Sequence, residues 1–141
     1  IKQLSVFLQN EAGKIASITA ALADGGIDIR ALSIADTTDF GVLRLLVSDA
    51  AAARDILARE SCIVSVTDVT VVAVPDVPGG LAKVLALLAA EQVDIEYMYS
   101  LIGRGEDKAY MVFRVSDTEK LQMVLGKNGL DTVSGEALGI R

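Results

Sequence analysis

Residues 71–95, VVAVPDVPGGLAKVLALLAAEQVDI, decide the fold. An apolar run ends at Pro75. The turn Asp76-Val77-Pro78-Gly79-Gly80 then opens a helix with Leu81, Val84, Leu85 and Leu88 on one side. A second strand begins at Val93-Asp94-Ile95. Pro78 suits a first helical turn, where a missing N–H costs nothing, and the two glycines allow close backbone approach. The N–H groups of that first turn form an anion site. Asp94 returns at the head of the next strand as a carboxylate. A donor-rich turn facing an acid suits a zwitterion.

The same device occurs upstream. A shift of 66 positions lays Asn10-Glu11-Ala12-Gly13 on Asp76-Val77-Pro78-Gly79, and Leu22, Asp28 and Ile29 on Leu88, Asp94 and Ile95. By Val47-Ser48-Asp49, which falls on Val115-Ser116-Asp117, the shift has grown to 68. The two extra residues belong in the turn around 103–108, where insertions are cheap. The chain therefore reads as a duplication with domains 1–67 and 68–141, each small enough to be marginal alone.

Outward from the quoted stretch, residues 2–8 read as a strand and Ile15, Ile18 and Leu22 mark a helix that Gly25-Gly26 closes. Residues 27–35 and 41–47 are strands around the polar turn 36–39. Ser48 or Asp49 caps a helix over 50–59, and 62–66 is the closing strand. The second half repeats this with strands 69–74, 93–102 and 109–115. Ser116 and Glu119 have capping-box spacing before its second helix, and 132–137 is a weak final strand. The order β-α-β-β-α-β, twice, gives an α+β fold: two ferredoxin-like units in tandem, antiparallel sheets with helices on one face. Almost no linker separates the halves, so they are not expected to tumble independently.

Both sheet faces look apolar. Phe7, Leu46, Val71, Ala73 and Val112 alternate with the core set, while Leu32, Ile34 and Met98 run out of phase with Ile27, Ile29 and Ile95. The second face is expected to pack on another sheet, in a homodimer or a partner.

Composition narrows the function. A net charge of −6 argues against nucleic acid and against anionic membrane surfaces, which want basic patches. The longest apolar run is too short to span a bilayer, and no signal peptide is seen. The single Cys62 forms no internal disulfide and fits a reducing compartment, so the expected location is cytoplasmic. There is no His, hence no common general base or metal ligand, and the lone thiol has no His to form a dyad. Gly79-Gly80 is not a P-loop, and no metal or cofactor motif is present.

The turn-plus-strand pattern resembles the ACT domain, a small regulatory module of amino-acid metabolism. The resemblance rests on Asp76-Val77-Pro78-Gly79-Gly80-Leu81 with Val93-Asp94-Ile95, and on Asn10-Glu11-Ala12-Gly13-Lys14-Ile15 with Gly26-Ile27-Asp28-Ile29. It covers nearly the whole chain and looks like stand-alone tandem ACT proteins, which carry no catalytic domain. It implies a free amino acid bound between two ACT domains, the turn coming from one and the start of the second strand from another. Serine-sensing relatives use a polar turn residue and an Asn 18 residues later. Here that spacing joins Asn10 to Asp28 and Asp76 to Asp94, and Ala12 replaces the expected Pro.

An ionised Asp donates no hydrogen bond, so Asp28 and Asp94 would hold an ammonium, while amides at 12–15 or 79–81 take the carboxylate. Tyr97 and Tyr99 are expected near the core, Lys14 and Arg30 as solvated charges, and Cys62 as a buried hydrophobe. The resulting expectation is a non-enzymatic sensor, a homodimer, that signals to a separate regulated enzyme. An assembly module with vestigial sites is the alternative, motivated by Ala12, Asp28 and Asp94.

Overall fold

The computed structural model describes residues 1–9, 11–36, 40–103 and 107–141. It forms two compact units. The first joins Lys2–Asp68 with Gly135–Arg141, and the second joins Ile1 with Val69–Ser134. The first unit runs β1 (Lys2–Gln9), α1 (Lys14–Asp24), β2 (Ile29–Asp36), β3 (Phe40–Val47), α2 (Ala50–Arg59) and β4 (Ile63–Asp68). The second runs β5 (Thr70–Pro75), α3 (Gly80–Ala90), β6 (Ile95–Ser100), β7 (Lys108–Val115), α4 (Thr118–Lys127) and β8 (Thr132–Val133). Each is a β-α-β-β-α-β unit with a four-stranded antiparallel sheet, ordered β2-β3-β1-β4 and β6-β7-β5-β8.

Strand alternation and helix periodicity build each core from one sheet face. In the first unit Leu4, Val6 and Leu8 of β1 and Leu43, Leu45 and Val47 of β3 meet Ile18 and Leu22 of α1 and Leu57 of α2. In the second, Val72, Val74, Phe113 and Val115 meet Val84, Leu88, Leu121 and Leu125. Ile29 and Ile95, at the heads of β2 and β6, pack against these cores.

The phase shift read in β2 and β6 has a structural cause that corrects its meaning. The register skips one residue at Arg30 in β2 and one at Glu96 in β6, a β-bulge in each copy. A bulge flips the alternation, so Leu32 and Ile34 lie opposite Leu45 and Leu43, on the helix side of the sheet. Met98 likewise lies opposite Phe113 and packs against the second core. On the other faces, Ala31, Leu46, Val71, Val112 and Tyr99 are buried. What stays open there is a row on the first sheet: Phe7 pairs with Val42 and with Ile63, and Phe7, Phe40 and Ile63 are exposed.

Among the described residues, the four α-helices stop in the same way. The residue two past the last helical one is left-handed: Gly26, Ser61, Gln92 and Gly129, at φ 74°, 60°, 56° and 67°. Its N–H and the next return to carbonyls of the last turn, as in Gly26 to Ala23, Ile27 to Leu22, Gln92 to Ala89 and Val93 to Leu88. At the starts, Asp49 caps α2 by accepting from the Ala52 N–H, and Asp117 caps α4 by accepting from the Lys120 N–H. The Ser116–Glu119 capping box is therefore corrected by one position. The Ser116 N–H is drawn to the Asp94 carbonyl, and Asp117 takes the extended cap conformation.

The final strand is also shorter than expected. Only Thr132–Val133 pairs, and Glu136–Leu138 turns into a 3-10 helix. The rest of the tail returns to the first unit: the Arg141 N–H donates to the Ser48 carbonyl, its carbonyl accepts from the Ala50 N–H, and Leu138 and Ile140 are buried.

Candidate ligand site at the first turn of each unit

Gly13 and Gly79, the residues before α1 and α3, hold the same left-handed backbone (φ 84°), and neither helix has a side-chain cap. This contrasts with the Asp-capped α2 and α4. The first intrahelical bonds are Ser17 N–H to the Gly13 carbonyl and Lys83 N–H to the Gly79 carbonyl. Of the amides expected to take a carboxylate, the Lys14 N–H already donates to the Glu11 carbonyl at 3.2 Å and the Gly80 N–H to the Val77 carbonyl at 3.0 Å, which leaves the neighbouring first-turn amides for a ligand. A β-carbon at Gly80 would overlap the Pro75 carbonyl oxygen, so the second turn lies hard against the end of β5.

In the first unit a cleft of about 290 Å³ opens beside this turn, lined by Glu11, Ala12, Lys14 and Ile15 together with Leu8, Gln9, Ile34 and Gly41. A neighbouring cleft of about 310 Å³ lies across the turn and is bounded by Phe7, Gln9, Glu11, Lys14, Ser61, Cys62 and Ile63. Glu11 and Lys14 border both. Cys62 is half-buried rather than enclosed.

The other expected site residues are scattered. Asn10 lies outside the described residues. Asp28 is exposed and ion-paired with Arg30 at 3.1 Å, and its N–H donates to the Ser48 hydroxyl. The Nε of Arg30 is buried without a hydrogen-bond partner. Asp94 is exposed, and Val77 and Pro78 are exposed at the second turn. The Asp76 N–H donates to the Asp107 carbonyl. Gly80 is buried, and Leu81 packs against the second core. Within one unit the acid and the tip do not meet. An 11-residue helix separates Gly13 from Asp28, and another separates Gly79 from Asp94. At 1.5 Å per residue that is roughly 16 Å.

Sequence reasoning missed Leu8, Gln9, Ile34 and Gly41. Ile34 alone left a trace, the slipped phase of β2, and the bulge at Arg30 is what returns it to the helix side. Tyr97 and Tyr99 stack with ring centroids 6.5 Å apart, Tyr99 buried and Tyr97 half-buried. Among the described residues no cluster of His, Cys, Asp or Glu could hold a metal ion, and no helix is long and apolar enough to cross a membrane.

A model of the ACT domain pair matches residues 1–140. The chain belongs to the ACT domain pair family. Among solved structures, this ACT pair is similar to protein BT0572 from Bacteroides thetaiotaomicron, at 42% identity and TM-score 0.89 over 98% of this chain and 94% of that one. It shares its fold with the regulatory subunit of aspartate kinase from Thermus thermophilus, at 16% identity and TM-score 0.63, covering 89% and 91% of the two chains. The corresponding subunit from Thermus flavus aligns at 15% identity and TM-score 0.55, over 89% and 90%. No curated protein sequence matches.

Proposed function

We propose that this ACT pair is a non-catalytic sensor that binds a free amino acid and passes the signal to a separate enzyme. The observation that carries the reading is the pair of uncapped helix tips at Gly13 and Gly79, built alike in two otherwise diverged copies. The carboxylate of the ligand meets the amides of a tip. Its ammonium meets Asp28 or Asp94 of another ACT unit, because the acid of the same unit stands a helix length away.

Strand topology supports that arrangement. β2 and β6 are edge strands. Two such edges paired antiparallel bring the head of one strand, with its Asp, to the tail of the other. The tail of β2 lies by the first turn, since Ile34 and Glu11 border one cleft. In this reading the domains are 1–67 and 68–141, and the working form is a cytoplasmic homodimer whose bridged state the ligand stabilises by linkage. The aspartate kinase neighbours are regulatory subunits by name, which supports a separate enzyme as the receiver.

Thermal unfolding against all twenty amino acids tests the reading. A ligand-dependent rise in Tm that Asp28→Ala or Asp94→Ala removes is expected. A flat panel points instead to an assembly module, for which the exposed row of Phe7, Phe40 and Ile63 is the specific support.

A further inference from the structure

We infer that the cleft beside the first turn selects an α-amino acid with a large apolar side chain, and that the second half of the chain lacks this specificity. This rests on the amino-acid reading above and names the ligand class.

The wall opposite the turn is aliphatic. Leu8 and Ile34 come from β1 and β2, and Ile15 from the first turn of α1. Ile15 and Ile34 are 36% and 45% exposed, although Ile34 is on the helix side of its sheet. Exposed aliphatic side chains on an edge strand leave apolar surface in water, and an apolar ligand side chain laid on them removes it. Glu11 and Lys14 stand on the rim; Lys14 adds its charge to the tip that takes the carboxylate, while the ammonium stays with the Asp of another unit. A zwitterion held at its charged end by the rim directs its side chain onto the aliphatic wall. The volume, about 290 Å³, falls just short of the range of drug-sized sites, about 300–1,000 Å³, and suits a ligand as small as an amino acid.

The second copy is an internal comparison. At the positions of Glu11, Lys14 and Ile34 it carries Val77, Gly80 and Ser100. Both charges and the edge aliphatic are gone. Nor does Gly80 admit a side chain, because a β-carbon there overlaps the Pro75 carbonyl. The two turns share the backbone at Gly13 and Gly79 and differ in both rim charges and in the edge aliphatic, while Leu8 and Ile15 have aliphatic counterparts in Val74 and Leu81.

The test is calorimetric titration of the full chain with L-leucine, L-phenylalanine, L-serine, L-aspartate and L-lysine, repeated on Ile34→Asp and Ser100→Asp. Both positions are exposed, so both variants are expected to fold, which circular dichroism melts check. Leucine or phenylalanine is expected to bind. Ile34→Asp is expected to weaken that binding by roughly ten- to a hundredfold, on the scale of lost apolar pocket contacts, while Ser100→Asp leaves it unchanged. Binding of serine, aspartate or lysine in preference to the apolar pair overturns the inference and leaves amino-acid sensing standing. So does binding of leucine that Ile34→Asp does not weaken. If none of the five binds and the thermal panel of twenty is flat, the sensor reading and this one fall together; if only another polar amino acid of the twenty binds, this one falls alone.

Discussion

Gln92 takes, at the end of α3, the left-handed backbone that Gly26 takes at the end of α1, at φ 56° against 74°. Glycine bears that conformation without strain and glutamine does not. Gln92→Gly is therefore expected to stabilise the protein by about 1 kcal/mol, read as a higher denaturation midpoint at unchanged slope. The Lys120 ammonium bonds the Gln92 carbonyl and keeps that contact in the variant. Ser61→Gly, at φ 60°, should act in the same direction.

Adjacent glycines of the second turn should respond unequally to alanine. Gly79 has a left-handed backbone and open space around its missing β-carbon, so Gly79→Ala should cost about 1–2 kcal/mol from the backbone alone. Gly80 has ordinary φ but faces the Pro75 carbonyl, and Gly80→Ala must displace backbone. It should be the more destabilising of the two in urea unfolding. The reverse order would refute the packing of this turn described above.

Helix capping gives a sharper contrast. Asp49→Ala and Asp117→Ala each remove a carboxylate that accepts from a first-turn N–H, and each should cost about 1 kcal/mol. Ser116→Ala leaves the α4 cap intact and should change stability by less than about 0.5 kcal/mol. Parallel chemical denaturation of the three variants distinguishes Asp117 from Ser116 as the working cap.

Glu91 and Lys127 link the ends of α3 and α4 at 2.8 Å. The hydrogen bond from Lys127, with its charge, holds the Glu91 carboxyl below the ordinary carboxylate range. A lowered folded-state pKa means that the unfolded chain binds the proton more readily. The stabilisation is present above the unfolded pKa and disappears as pH falls through the folded one. Titration by carbon-detected NMR should show the depressed value, and Lys127→Met should return it towards normal. The pair is exposed, so added salt should shrink the shift.

Much of this fold was readable from residues. The offset that lays Gly13 on Gly79 and Asp28 on Asp94 fixed the duplication, and strand and helix periods fixed the element order. What stayed hidden depends on neighbours rather than on local pattern. Gln92 and Ser61 are poor left-handed residues, and only the stop of the helices against the sheet puts them there. The bulges at Arg30 and Glu96 left a trace, the slipped phase of Leu32, Ile34 and Met98, but a slipped phase alone does not say which side a residue joins. Ile34 entered the cleft for that reason. The placement of Asp28 at the far end of α1 was legible, because the helix closed by Gly25-Gly26 lies between it and the turn.

Residue 1 and residues 135–141 are grouped across the repeat boundary. Ile1 associates with the later half, while Leu138, Ile140 and Arg141 complete the earlier one. A gene cut between the repeats would yield two fragments, each missing a piece that the other carries off. Residues 135–141 thus belong to a fold that the repeat boundary would cut them away from.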